Sequence, residues 1–186
     1  MSYLLGQFFG LVATVACIIV PLYKKKWQML LNTALVNLMM ILNLVFLEEV
    51  GSAVCLCAVA IVQCMVSLIH DRRRTDPGPM ETGLFLLLYL GFGFFGLFTS
   101  PGFVWGINGR NLLELLPILG SLLSMSFVFV REEQRARWFL LATCSVWALY
   151  TAIIGSTTFF AELFTVLTTV AALWRYHRQR VVNAQL

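Results

Sequence analysis

The chain has 186 residues, 60% of them hydrophobic and only 12% charged, against roughly half and a quarter in soluble domains. Thirteen basic and nine acidic side chains cannot supply the polar surface that a soluble domain of this size needs. That balance excludes a disordered chain, a nucleic-acid-binding domain and almost any soluble enzyme, and leaves a polytopic membrane protein. A spanning helix takes about 20 apolar residues. Seven would use roughly 140 by that measure and leave about 46 for every loop and both tails.

Charged clusters and turn residues mark out seven spans. The first runs from Tyr3 to Leu22 and ends at Lys24, Lys25 and Lys26. The second runs from Trp27 to Leu47, before Glu48 and Glu49, and the third from Gly51 to His70, before Asp71 and Arg72 to Arg74. A Pro/Gly linker, Asp76 to Pro79, leads into the fourth, Thr82 to Phe98. The longest loop, Ser100 to Asn111, carries Pro101, Gly102, Gly106 and Gly109. The fifth span is Leu112 to Val130, the sixth Trp138 to Ile154 and the seventh Thr157 to Trp174. The apolar runs do not alternate, so they predict helices rather than barrel strands. The expected fold is an all-α membrane protein with seven transmembrane helices.

Twelve of the 13 Lys and Arg residues fall on one side of this arrangement, and Arg110 alone on the other. The positive-inside rule then puts the N-terminus outside and the C-terminus in the cytoplasm. The basic clusters read as topology signals, with binding of anionic lipid heads or nucleic acid as the alternative. The first span is not a signal peptide, because its basic cluster follows the apolar run instead of preceding it.

An internal repeat is visible at an offset of 107. Gln7 falls on Glu114, Gly10 on Pro117, Thr14 on Ser121, Cys17 on Ser124 and Lys24 on Arg131. In the next helix Met40 falls on Trp147 and Asn43 on Tyr150; after a three-residue difference Gly51-Ser52 falls on Gly155-Ser156. Residues 3–74 thus form one three-helix repeat, 112–178 a second, and 82–99 a joining helix. An odd joiner makes the repeats parallel, a 3+1+3 layout of the kind some transporters use.

Polar groups inside hydrocarbon need a partner or a cavity. Glu114, Pro117, Ser121 and Ser124 form one stripe on helix 5, and Gln7, Gly10, Thr14, Cys17 and Pro21 its counterpart on helix 1. Thr143, Trp147, Tyr150 and Thr151 share a face of helix 6; Thr158, Glu162, Thr165 and Thr169 share one of helix 7. Facing inward, these stripes line one cavity.

Glu162 is the sharpest candidate. It lies about five residues inside helix 7 with no basic neighbour, and reads as a proton or substrate site, or else as a structural carboxylate in the outer part of the helix. Glu114 opens helix 5, where a carboxylate favours the N-terminus as a cap. Trp147 and Tyr150 offer faces for stacking or plain packing. Asn32, Asn37, Asn43 and Gln63 read as interhelical hydrogen bonders. Gly91, Gly93 and Gly96 allow close packing of helix 4, and Pro21 and Pro117 kink their helices. His70 and His177 read as interface residues. The five cysteines, Cys17, Cys55, Cys57, Cys64 and Cys144, have no ligand spacing and read as small packing residues. No hydrolytic or redox motif is present, so no enzyme, cofactor or metal is expected.

The run Glu114-Leu-Leu-Pro117-x-x-Gly120-x-x-x-Ser124, followed by Arg137, Trp147, Tyr150, Gly155-Ser156 and Glu162, resembles the YgjV-type bacterial inner-membrane family. The resemblance spans nearly the whole chain and is strongest from Glu114 to Arg175. That family favours His where Asn43 and Tyr150 stand here, which removes a titrating pair. The layout is similar to the SWEET and PQ-loop superfamily, which implies transport of small polar solutes through a midplane pocket. The Pro-Gln dipeptide is absent, since Leu22 follows Pro21 and Ile118 follows Pro117, so the resemblance implies no particular substrate.

The expected function is therefore alternating-access transport of a small polar solute, with a site made of Glu162, Tyr150, Trp147, Ser121, Ser124, Thr165, Glu114, Thr14 and Asn43. The expected partners are a small-molecule substrate and membrane lipids, not nucleic acid. One chain carries both repeats, so no dimer is required and a homo-oligomer stays open. The rivals are a ligand-sensing protein that signals through short Arg-rich loops and a lipid-handling protein with a lateral groove beside Glu162.

Overall fold

The computed structural model describes residues 2–183 except 24, 49, 50, 101, 102, 104, 106, 107 and 131; of residues 2, 21, 110, 133 and 176–183 it describes the backbone alone. The Lys24 and Arg131 signals and the loop residues Pro101, Gly102 and Gly106 therefore lie outside the described residues, as do the side chains of Pro21, Arg110, His177, Arg178 and Arg180.

Among the described residues there are seven α-helices and no strand. They are α1 (Ser2–Ile19), α2 (Lys26–Phe46), α3 (Ser52–Arg73), α4 (Pro79–Thr99), α5 (Gly109–Phe129), α6 (Glu133–Ile153) and α7 (Thr158–Asn183). By length and composition, α2 to α7 are each apolar enough to cross a membrane. Helix α1 is shorter and equally apolar. At 1.5 Å per residue its 18 residues reach about 27 Å, and the 3-10 turn Val20–Leu22 that continues it brings it to the roughly 30 Å of a hydrocarbon core.

Three helices overrun the expected spans at points where charge was read as a stop. Helix α3 continues through Asp71, Arg72 and Arg73 and ends only at Arg74, which takes the left-handed conformation at φ 54°. Helix α6 starts at Glu133, five residues before Trp138, and α7 runs on past Trp174 to Asn183. A charged side chain is costly in lipid but favourable on a helix that has already reached the headgroups. Helix α4 starts at Pro79, whose missing N–H and fixed φ suit a first helical position.

Helices in lipid gain nothing from the hydrophobic effect against one another and associate through close packing and hydrogen bonds. Each consecutive pair within α1–α2–α3 and within α5–α6–α7 is in contact, and the two sets meet along two seams, α1 on α7 and α3 on α5. Helix α4 packs on α3 and α5, over the second seam. There a side chain at Gly93 would stand 2.9 Å from Ile118 Cγ1, and one at Gly96 would collide with the Ser52 backbone. Gly91 faces open space, so the packing role expected of all three glycines falls to two. Tyr89 of α4 is fully buried; its hydroxyl donates to Gln63 Oε1 (2.7 Å), and the Gln63 amide donates to the Met125 carbonyl (3.2 Å). One amide thus fastens α4, α3 and α5 together.

Candidate functional site

A cavity of about 70 Å3 lies among α1, α2, α3, α5, α6 and α7. Each water needs about 10–15 Å3 of such space, so it has room for about five. Glu162 and Thr165 of α7, Ser124 of α5 and Trp147 of α6 are in its wall. These are the expected site residues that the fold brings together.

Glu162 is 7% exposed. It does not reach outward along its helix; the Cys144 thiol is its hydrogen-bond partner. Thr165 is fully buried, donates to the Ala161 carbonyl at 2.8 Å and stands in hydrogen-bonding reach of the Cys17 thiol. Thr143 of α6 and Thr33 of α2 also face the cavity, and both hydroxyl oxygens are buried without a partner. Asn37 lines it while its amide donates to the Thr33 carbonyl on its own helix (2.8 Å), not across helices as expected.

The other expected residues sit elsewhere. Tyr150 is buried behind Trp147, its ring edge-on at 5.8 Å. Ser121 is buried one turn from Ser124 but outside the cavity wall. Thr14 donates to its own Gly10 carbonyl (2.8 Å). Asn43 and Glu114 belong to the two seams. The Asn43 amide donates to the Gly6 carbonyl (2.8 Å) and its oxygen accepts from Ser156 Oγ (3.1 Å), joining α2, α1 and the start of α7. Glu114 accepts from Ser52 Oγ (2.5 Å) and Ser100 Oγ (3.4 Å), joining α5, α3 and the end of α4. Its expected role as a helix cap fails. Helix α5 begins at Gly109, and Asn108 is the cap, its side chain accepting from the Asn111 amide at 2.8 Å. Glu114 lies more than a turn inside.

Three thiols, Cys17, Cys57 and Cys144, line the cavity although they read as packing in the sequence. A thiol within an apolar run gives no composition signal. The signal lay in the repeat, because Cys17 falls on Ser124 at the offset of 107.

That offset organises the whole wall. Lining residues Cys17 and Ser124 are 107 apart, and so are Val20 and Phe127 on the same two helices. On α2 and α6, Thr33 pairs with Leu140, Val36 with Thr143, Asn37 with Cys144, and Met40 with Trp147 at the same separation. Only Cys57 of α3 and Glu162 and Thr165 of α7 complete the lining.

A family model described as bacterial inner membrane protein, Imp-YgjV, matches residues 4–180. The chain belongs to that family. No curated protein and no solved structure matches it. As an Imp-YgjV protein with several membrane-spanning helices, it is a bacterial inner membrane protein.

Away from the cavity, His70 joins the ends of α3 and α4. Its Nδ1 lies 2.7 Å from Thr75 Oγ1 and its Nε2 2.8 Å from Glu81 Oε2. It is an interhelical clamp with a carboxylate partner that the sequence did not single out.

Proposed function

We propose that this Imp-YgjV protein transports a small polar solute by alternating access, with residues 3–74 and 112–178 as two parallel three-helix halves and 82–99 as their joiner. The observation that carries the reading is the pairing of the cavity wall at one constant separation. A cavity lined by equivalent positions of two halves lies on the axis that relates them, where rocking of one half against the other opens it first to one side and then to the other. The matched helix contacts in α1–α2–α3 and α5–α6–α7 support the same axis. Helix α4, lying outside this ring, restores the orientation of the second half.

In this mechanism Glu162, Trp147, Ser124 and Thr165 touch the solute. Thr33, Thr143 and Asn37 join them; Tyr150 positions Trp147, while Asn43 and Glu114 hold the seams. The N-terminus lies outside and the C-terminus in the cytoplasm. No cofactor or enzymatic step enters. The groove along Tyr23, Trp27, Leu31 and Leu38 runs over α2, away from Glu162, which favours solute transport over lipid handling.

The test is uptake of labelled small solutes, both amines and polyols, into proteoliposomes. A Ser124→Phe variant, checked for helix content, fills the cavity and is expected to lower uptake at least tenfold. Failure of every solute to cross in either direction of pH gradient, with folded protein in the bilayer, overturns the proposal.

A further inference from the structure

The chemistry of the wall narrows the solute to one class. Among the described residues, the lining contains one carboxylate, Glu162, and no Lys, Arg or His. A carboxylate withdrawn from water is strongly unfavourable unless an opposite charge or a proton compensates it. No ion pair to Glu162 is made among the described residues; its side-chain partner is a thiol. The constant-offset pairing sharpens the point. The paired wall positions are all uncharged, and the acid enters from α7 alone, so Glu162 is the one acidic group of the wall and the site holds at most one negative charge.

The remaining polar groups complement N–H donors. Thr33 and Thr143 line the cavity, and their buried hydroxyl oxygens have no partner; Thr143 is 7% exposed. Trp147 contributes indole to the wall, the best of the aromatic groups for a cation. The volume sets the size limit, since room for about five waters admits about five heavy atoms.

We infer that the cavity binds a small organic monocation, of the alkylammonium or guanidinium class, with its charge on Glu162 and its N–H groups on Thr33 and Thr143. This rests on the transport reading for its physiological sense, though binding itself is separable from flux. A transition-metal ion is a poorer match, because no group of three or more His, Cys, Asp or Glu side chains among the described residues could hold one.

The decisive comparison uses guanidinium and urea, which match in shape and heavy-atom count and differ in charge. Equilibrium dialysis of the full chain in detergent, with labelled ligands at millimolar concentration, is expected to show guanidinium and methylammonium bound and urea at least tenfold weaker. Glu162→Gln is expected to abolish the preference for guanidinium over urea. Thr143→Val keeps the charge and removes one acceptor, so guanidinium binding should weaken at least about tenfold, in line with a lost hydrogen bond to a charged group. Circular dichroism and a monodisperse elution profile establish that each variant is folded. Guanidinium and urea binding equally well, or guanidinium binding unchanged in folded Glu162→Gln, overturns the inference. Absence of cation binding by folded wild-type protein overturns it too, even where neutral solutes cross proteoliposomes and the transport reading stands. Cation binding without flux of any solute overturns transport and leaves the site.

Discussion

The two seams of the bundle occupy corresponding places and are built differently. Where α3 meets α5, the polar link is a carboxylate, Glu114, held by Ser52 and Ser100, with α4 packed over it. Where α1 meets α7, the link is a neutral amide, Asn43, held by the Gly6 carbonyl and Ser156. Helix α4 makes no comparable contact with α1 or α7. The α1/α7 side also contains two buried oxygens without partners, on Gln7 of α1 and on Thr157 just before α7. An ionisable link is affordable only where protein shields it from lipid. The polar link of the covered seam is shielded by α4 and that of the bare seam is not, so the α1/α7 seam is expected to part first when the halves move.

The largest effect should come from uncovering the shielded seam. Gly96→Ala places a methyl group against the Ser52 backbone, which has no flexible end to give way. The expected loss is about 3 kcal/mol, the upper end of ordinary overpacking, against less than about 0.5 kcal/mol for Gly91→Ala, which faces open space. Equilibrium unfolding in mixed micelles measures both, and equal losses would mean that α4 does not depend on this contact. Next come the links themselves. Glu114→Leu removes the acceptor of the Ser100 hydroxyl and leaves the Ser52 hydroxyl only the residue-114 carbonyl at 3.3 Å, and should cost about 2 kcal/mol; Asn43→Leu should cost about 1 kcal/mol, typical of interhelical bonds in membranes. A reversed order in the same unfolding assay would show that the neutral link bears more than the shielded one. The smallest effect has the opposite sign. Thr157→Val removes a buried oxygen that lacks a partner and should be neutral or stabilise by up to about 0.5 kcal/mol; a clear loss would reveal a partner for that hydroxyl.

The helices were legible because hydropathy acts over about 20 residues and tolerates local error. Their ends were not. At Arg72, Arg135 and Arg175 the charge marks where the membrane stops, while the backbone remains helical into the headgroup region. Glu162, Trp147, Ser124 and Thr165 could be read as wall residues because each is polar or amphipathic within an apolar run. Tyr150, Thr14 and Asn43 have the same character, yet the ring, hydroxyl and amide are turned to a neighbouring ring or to backbone carbonyls. Composition cannot separate a polar group facing a cavity from one facing a carbonyl. Glu114 was misplaced for a simpler reason. The helix starts at Gly109, and the three residues before Leu112 already belong to it.

The thiols in the wall have a further consequence. Cys17, Cys57 and Cys144 come from three different helices and are each under 8% exposed, whereas Cys55, two residues from Cys57, is half-buried on another face of α3. A buried thiol is shut off from alkylating reagents. It becomes a target only during the moments in which its surroundings separate, while Cys55 reports the background rate on the same helix. The protein thus carries its own clock: the alkylation of those three sulfurs counts how often the wall comes apart.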